Sequence, residues 1–269
     1  MIPRVGSPGL SRDRGEHAKK EALMRVSRTG VALLALVMVA CVAGADTKIV
    51  QVSHTDAMTV MGQTQPAKDQ EKTTWVSADR MRMDQGKMSI IIRPDLEQML
   101  FVDHGSKTYN LLQLPVDLSE LLPPQMSQMM DMMKMTVTVT PSGKTKTIGK
   151  WSAKHYEMTM SSPMMQMQAN IWATDEVGFD LSSYERMAEH MVSLQPGMED
   201  SIEELRKIKG VQVEMDGAIS MPMAGNVEVK TSEKLVSIEE VDAPSGFYDP
   251  PAGYTEKPFD FMKMQQMQQ

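Results

Sequence analysis

The chain has 269 residues, 41 % of them hydrophobic and 23 % charged, and a formal net charge of −7. That acidic balance excludes a phosphate-neutralising surface of clustered lysine and arginine, so nucleic acid is not an expected partner. A single cysteine, Cys41, leaves neither a disulfide pair nor a thiolate metal cluster to be built.

From the N-terminus, residues 1–23 are polar and lie upstream of anything an export signal needs. The expected start of translation is therefore Met24, with 1–23 an upstream extension. Lys20-Glu21 can be encoded by a purine-rich ribosome-binding sequence, in keeping with that start. Arg25 and Arg28 precede an unbroken apolar run over 31–42, and Ala43-Gly44-Ala45 follows it. These are the basic, apolar and small-residue parts of a signal peptide spanning 24–45. The run is shorter than the roughly 20 apolar residues of a membrane span. The expected mature chain starts at Asp46 with 21 basic and 32 acidic residues, in the periplasm or secreted. The alternative is an anchor: Met38-Val39-Ala40-Cys41 partly matches a lipobox, and only lipidation of Cys41 would associate the protein with the envelope membrane.

Residues 46–256 are expected to fold as one domain, with a flexible Met/Gln-rich tail over 257–269. Strands over 47–53 and 57–61 read as a first hairpin turning at His54-Thr55-Asp56, followed by a polar loop over 63–72. A strand over 73–78 brings in Trp75 as a core or rim residue. Residues 80–115 are the most legible stretch: four short strands separated by Gly86, by Pro94-Asp95 and by Asp103-His104-Gly105-Ser106, an antiparallel meander. Met81 and Met83 alternate there with Arg80, Arg82 and Asp84, the period of two that sets one side of a strand against a core.

Beyond Pro115 the period becomes helical. Leu118, Leu121 and Leu122 form one apolar turn, Pro123-Pro124 interrupt it, and a second short helix is expected over 125–135. Strands resume over 136–140 and, after a turn at Pro141-Ser142-Gly143, over 144–160 with a break near Gly149. Within the second part Tyr156, Met158 and Met160 share a face, as do Met165, Met167, Ala169 and Ile171 in the next strand. A helix over 181–194 aligns Leu181, Tyr184, Met187, Ala188, Met191 and Leu194, with Ser182 and Glu185 as a capping box. A second helix over 201–209 has Ser201 and Glu204 in the same roles. Four strands then follow, over 211–215, 218–223, 226–230 and 234–241, with Gly217 and Gly225 at turns. The fold class expected is α+β: a large curved antiparallel β-sheet, an open half-barrel, with short helices packed over its concave face.

Methionine is the compositional anomaly, with 26 of 29 lying after residue 45. Thioethers fill irregular cores well, and that is one account of them. A second is that Met81, Met83, Met88, Met99, Met158, Met160, Met165 and Met167 line the concave face as a deformable apolar pocket for a lipid-like ligand. A third is a Cu(I) site on the crowded helix bearing Met126, Met129, Met130, Met132 and Met133, since thioether sulfur suits that ion. No cofactor is expected. His54, His104, His155 and His190 show no ligand spacing and read as surface or turn residues. No G-x-S-x-G elbow and no glycine-rich phosphate loop occurs, so no enzyme activity is expected. Glu199, Asp200, Glu203 and Glu204 fit the acidic preference of a helix N-terminus.

The meander, the segment 147–157 with Gly149, Trp151 and Tyr156, the run Ile171-Trp172-Ala173-Thr174 and the ending Phe247-Tyr248-Asp249-Pro250-Pro251-Ala252-Gly253-Tyr254 together resemble the bacterial secreted family known as domain of unknown function 4412. The resemblance covers most of the mature chain. Members look like distant relatives of the lipoprotein carriers LolA and LolB, which implies an open half-barrel holding acyl chains and a lipid or lipoprotein as partner. Typical members often carry a cysteine soon after the glycine matched by Gly149; this chain has none there.

Overall fold

A computed structural model describes residues 46–60, 63–116, 134–163, 165–193, 197–222, 225 and 227–259. In chain order its strands are β1 (Asp46–Thr55), β2 (Met58–Val60), β3 (Gln63–Gln65), β4 (Lys68–Val76), β5 (Met81–Gln85), β6 (Met88–Arg93), β7 (Gln98–Asp103) and β8 (Thr108–Gln113). They continue with β9 (Thr136–Ile148), β10 (Trp151–Ser161), β11 (Gln166–Thr174), β12 (Val211–Met221), β13 (Val227–Val241) and β14 (Thr255–Glu256). Two helices, α1 (Leu181–Ser193) and α2 (Ile202–Leu205), separate β11 from β12.

Twelve of these strands form one sheet that does not close, in the order β14-β8-β7-β6-β5-β4-β1-β13-β12-β11-β10-β9. The fold is the large antiparallel-dominated α+β sheet expected from the sequence. Its logic is two sequential meanders, β4 to β8 and β9 to β13, joined through β1. That strand pairs with β4 on one side and β13 on the other, so Asp46 lies opposite Val241 and Thr47 opposite Val76. Only β14 runs parallel to its neighbour, β8.

The meander β5 to β8 follows the sequence reading closely. Elsewhere the structure corrects it. Strand β1 forms no hairpin with β2, which pairs with β3 in a separate ribbon, and β4 begins at Lys68 inside the expected loop. Residues 141–143 do not end a strand: β9 runs through them, and the extra residues bulge out between the Thr145–Lys154 and Pro141–Tyr156 pairs. Strand β12 is continuous through Gly217, whose missing side chain leaves room for β11, since a Cβ there would lie 3.0 Å from Gln168 O. Strand β13 is likewise one element of 15 residues, with a register shift opposite Val50 and Gln51.

Helix α1 starts as expected but is capped two residues earlier in sequence than the box suggested. Asp180 Oδ1 accepts the Ser182 amide at 3.0 Å, and the Ser182 and Ser183 hydroxyls hold that carboxylate below its ordinary pKa. Helix α2 is far shorter than predicted. Ser201 makes no capping bond, and Glu204 turns instead to Lys207 and to the backbone of β9. The predicted helices before β9 lie outside the described residues.

Opposite faces of β6 and β7 are both buried, which the run Ser89-Ile90-Ile91-Ile92-Arg93 already permits. On one face Ile90, Ile92, Met99 and Phe101 join Ile49, Val76, Met81 and Val213 in a core against which Leu181, Tyr184, Met187 and Met191 of α1 pack. On the other, Ile91, Leu100 and Val102 meet Tyr248, Phe247 and Tyr254 from the segment after β13. Phe247 sits edge-on to Trp75 at 4.8 Å and beneath the Arg82 guanidinium at 4.2 Å. A further core gathers Val137, Val139, Tyr156, Met158, Ala169 and Ile171 beneath Val192, Leu205 and Ile208. The start of the expected tail is fastened, because Asn110 donates to the carbonyls of Lys257 and Pro258 and Phe259 packs on Phe101.

Candidate functional site

Between α1 and the α2-to-β12 connection runs a cleft of about 200 Å³. Its walls come from successive turns of α1, Tyr184, Ala188 and Val192, facing Ile202, Leu205 and Ile208. The 3.6-residue period puts the α1 residues on one stripe, with Met187 beside them sealed into the core at 2 % exposure. Opposite, the short α2 ends in a turn at Arg206, Lys207 and Ile208, and Gly210 lets the chain enter β12 against Thr174. Glu185, Glu189, Arg206 and Lys209 supply the cleft's charged lining. Two of them are mutually engaged: Arg206 donates to both Glu189 oxygens at 2.7 and 3.0 Å, which pulls the Glu189 pKa down.

Gln212, the second residue of β12, also lines the cleft and connects it to a polar cluster on the sheet. Its Nε2 donates to Glu233 Oε1 at 2.8 Å, and Gln51, 3 % exposed, donates both to that oxygen at 2.8 Å and to Gln212 O at 3.2 Å. Lys72 Nζ lies 3.2 Å from each Glu233 oxygen. Three donor groups thus satisfy one half-buried carboxylate, and the pair Lys72–Glu233 cancels in net charge. Tyr184 feels the site as well. Burial first, and then the negative field of Glu233, push its phenol up to about 12, so it stays protonated and able to donate.

Six of the eight methionines proposed as a pocket lining fall in the cores under the helices, and none of the eight lines this cleft. Met81 and Met99 belong to the core under α1, at 4 % and 0 % exposure, with Met83 packed beside them. Met158 is buried in the core under α2, flanked by Met160 and Met167, which pair directly across β10 and β11. Met88, the first residue of β6, and Met165, just before β11, are half-buried. Met126, Met129, Met130, Met132, Met133 and Cys41 lie outside the described residues.

The histidines are more engaged than their isolation in sequence suggested. His155 is buried rather than on the surface, with Nδ1 2.8 Å from Ser142 Oγ and Nε2 3.2 Å from Asn170 Oδ1. A serine, a histidine and an amide in contact invite comparison with a nucleophile site. The chemistry is poor, however, because the amide cannot stabilise an imidazolium as a carboxylate does and Ser142 also lies within reach of the His155 carbonyl. This trio pins the β9 bulge. His104 bridges Ser89 Oγ at 2.7 Å and Tyr254 OH at 2.8 Å, with Ser89 only 1 % exposed and so shut off from any substrate. His54 is a surface residue between Asp69 and Asp56, whose hydrogen bonds raise its pKa. His190, on α1, is half-buried, and desolvation lowers its pKa. Sequence spacing could not reveal the cleft, since it joins α1 to residues about twenty positions away; the usable signal was the apolar stripe of α1.

Among the described residues no helix is long and apolar enough to cross a membrane, and no three His, Asp or Glu side chains are placed to hold a metal ion. No family model and no curated protein matches the chain. A solved structure of PNGF-II is similar over 83 % of this chain at TM-score 0.40 and 9 % identity. The chain spans about a third of that protein, 32 % of its length. So slight a likeness carries no argument about function.

Proposed function

We propose that the protein is a non-catalytic binder of the bacterial cell envelope that holds an apolar ligand, a lipid or the acyl group of a lipidated partner. The observation that carries this reading is the cleft walled by Ala188 and Val192 of α1, Ile202 and Leu205 of α2 and Ile208 in the turn beyond, beside an open sheet. The signal-like residues 24–45 support the location, and the resemblance to the domain of unknown function 4412 family and to LolA and LolB agrees with it. At about 200 Å³ the cleft is smaller than the roughly 300–1,000 Å³ of ordinary small-molecule sites. It accepts a single chain end. A longer guest enters by lifting α1 from the core where Met81, Met83, Met99 and Met187 lie, and unbranched thioethers repack at low cost around such a change.

Native mass spectrometry of gently purified protein, paired with titration of the apolar dye Nile red, tests the reading. Saturable Nile red binding that is lost in Ala188→Trp, with unchanged far-ultraviolet circular dichroism, is expected. No saturable binding, or binding indifferent to a tryptophan in the cleft, overturns it.

A further inference from the structure

We propose that the polar end of the ligand is an uncharged acyl amide, received at Gln212 and Tyr184; this rests on the cleft being the binding site. The walls are apolar along α1 and α2, so specificity must come from the few polar groups that line them. Gln212 has committed one amide hydrogen to Glu233 and is held there from below by Gln51, which bonds its backbone carbonyl. What it can offer a guest is its other amide hydrogen and its carbonyl oxygen, one donor and one acceptor on a rigid plane. That pattern is complementary to another carboxamide.

Tyr184 adds a hydroxyl that remains protonated across the physiological range. A carboxylate head fits worse for two reasons. Glu233 lies directly behind Gln212, and its charge is already balanced by Lys72, so no cation in that cluster is left over for a second anion. Of the cations in the lining, Arg206 has its guanidinium spent on Glu189 and Glu203, and Lys209 is an exposed residue outside the Gln212–Glu233 cluster. An ionised head desolvated at Gln212 finds no uncommitted cation in that cluster and is costly, whereas an amide exchanges its water hydrogen bonds for equivalent ones.

The test compares octanamide with octanoate by calorimetric titration of the full chain at neutral pH, in wild type, Gln212→Leu and Tyr184→Phe. Octanamide is expected to bind at least tenfold more tightly than octanoate, and Gln212→Leu is expected to erase that preference while Nile red still binds. Tyr184→Phe, which leaves the Glu233 cluster intact, is expected to reduce the preference severalfold. Octanoate binding as tightly as octanamide, or a preference that survives both variants, overturns the amide assignment and leaves the cleft as a site. If neither compound nor Nile red binds, the cleft itself is not a site and both proposals fall together.

Discussion

Glu204 reaches from α2 to the outermost strand of the sheet, where its Oε2 accepts the Val139 amide at 2.8 Å while its Oε1 pairs with Lys207. Among the described residues strand β9 has a neighbour on one side only, and an edge amide with no partner is a template for another chain. The carboxylate occupies that template. Glu204→Ala is therefore expected to increase self-association, read as a larger sedimentation coefficient at high protein concentration, with Glu203→Ala as the control that changes nothing. The bonds to Lys207 and Val139 lower the Glu204 pKa, so its contribution is present above the unfolded carboxylate value and is lost as pH falls through the lower folded one. Wild type should accordingly associate more at acid pH, and Glu204→Ala should show no such pH dependence.

Gly210 is where the helical segment enters β12, at φ +91. A Cβ there would lie 1.9 Å from Thr174 O and 2.4 Å from its carbon, and backbone cannot yield as a side chain can. Gly210→Ala should lower stability by roughly 3 kcal/mol in denaturant unfolding and disturb the cleft. Gly143→Ala, also at positive φ but with nothing within 4 Å, should cost only about 1–2 kcal/mol.

Met99 is fully buried between β6 and β8, opposite Ile92 and Leu112. Its truncation to alanine should destabilise by about 2–5 kcal/mol, the range for a cavity left by a large core side chain. Met99→Leu, of nearly equal volume, should cost less than about 1.5 kcal/mol. Met88→Ala and Met165→Ala, at half-buried positions, should each cost far less than Met99→Ala. Equal losses at all these sites would contradict the burial pattern.

Tyr184 ionises only near pH 12, against an ordinary value of 10.0. Keeping its phenol neutral stabilises the fold fully below pH 10, and that stabilisation is lost as pH rises through about 12. Wild type should lose stability between these values more steeply than Tyr184→Phe, measured by denaturant midpoints across the alkaline range. Near-ultraviolet difference absorbance of wild type against Tyr184→Phe should isolate this residue's tyrosinate step, since burial also raises the Tyr248 pKa. Glu233→Gln should move that step down slightly, because burial is the larger cause and the charge of Glu233 the smaller.

How far the fold was legible depended on whether periodicity ran unbroken. The strands β5 to β8 alternate or are uniformly apolar between strong turn residues, and they were found nearly to the residue. Helix α1 was equally plain because its stripe runs from Leu181 to Met191. Strands β9, β12 and β13 were each cut in two; in β9 the cut fell on a bulge, which resets alternation and looks in sequence like a turn. Gly217 was misassigned for a related reason: a glycine kept for close approach of two strands cannot be told locally from one kept for a turn. The candidate site was read as methionine because methionine is what composition makes conspicuous. The apolar walls of the cleft are alanine, valine, isoleucine and leucine, which stand out in no composition.

Residue order alone determined the local elements: apolar periods, turn chemistry and the acidic balance. Which strands become neighbours was decided only in three dimensions. Strand β1 lies between β4, which ends at Val76, and β13, which begins only at Val227, and there its alternate residues Thr47, Ile49 and Gln51 are buried. The same long-range pairing brings Gln51 and Glu233 beneath Gln212 and so sets the polar end of the cleft. Hydrogen-bonded neighbours and shared cores depend on where the chain returns in space, and no window of sequence contains that return.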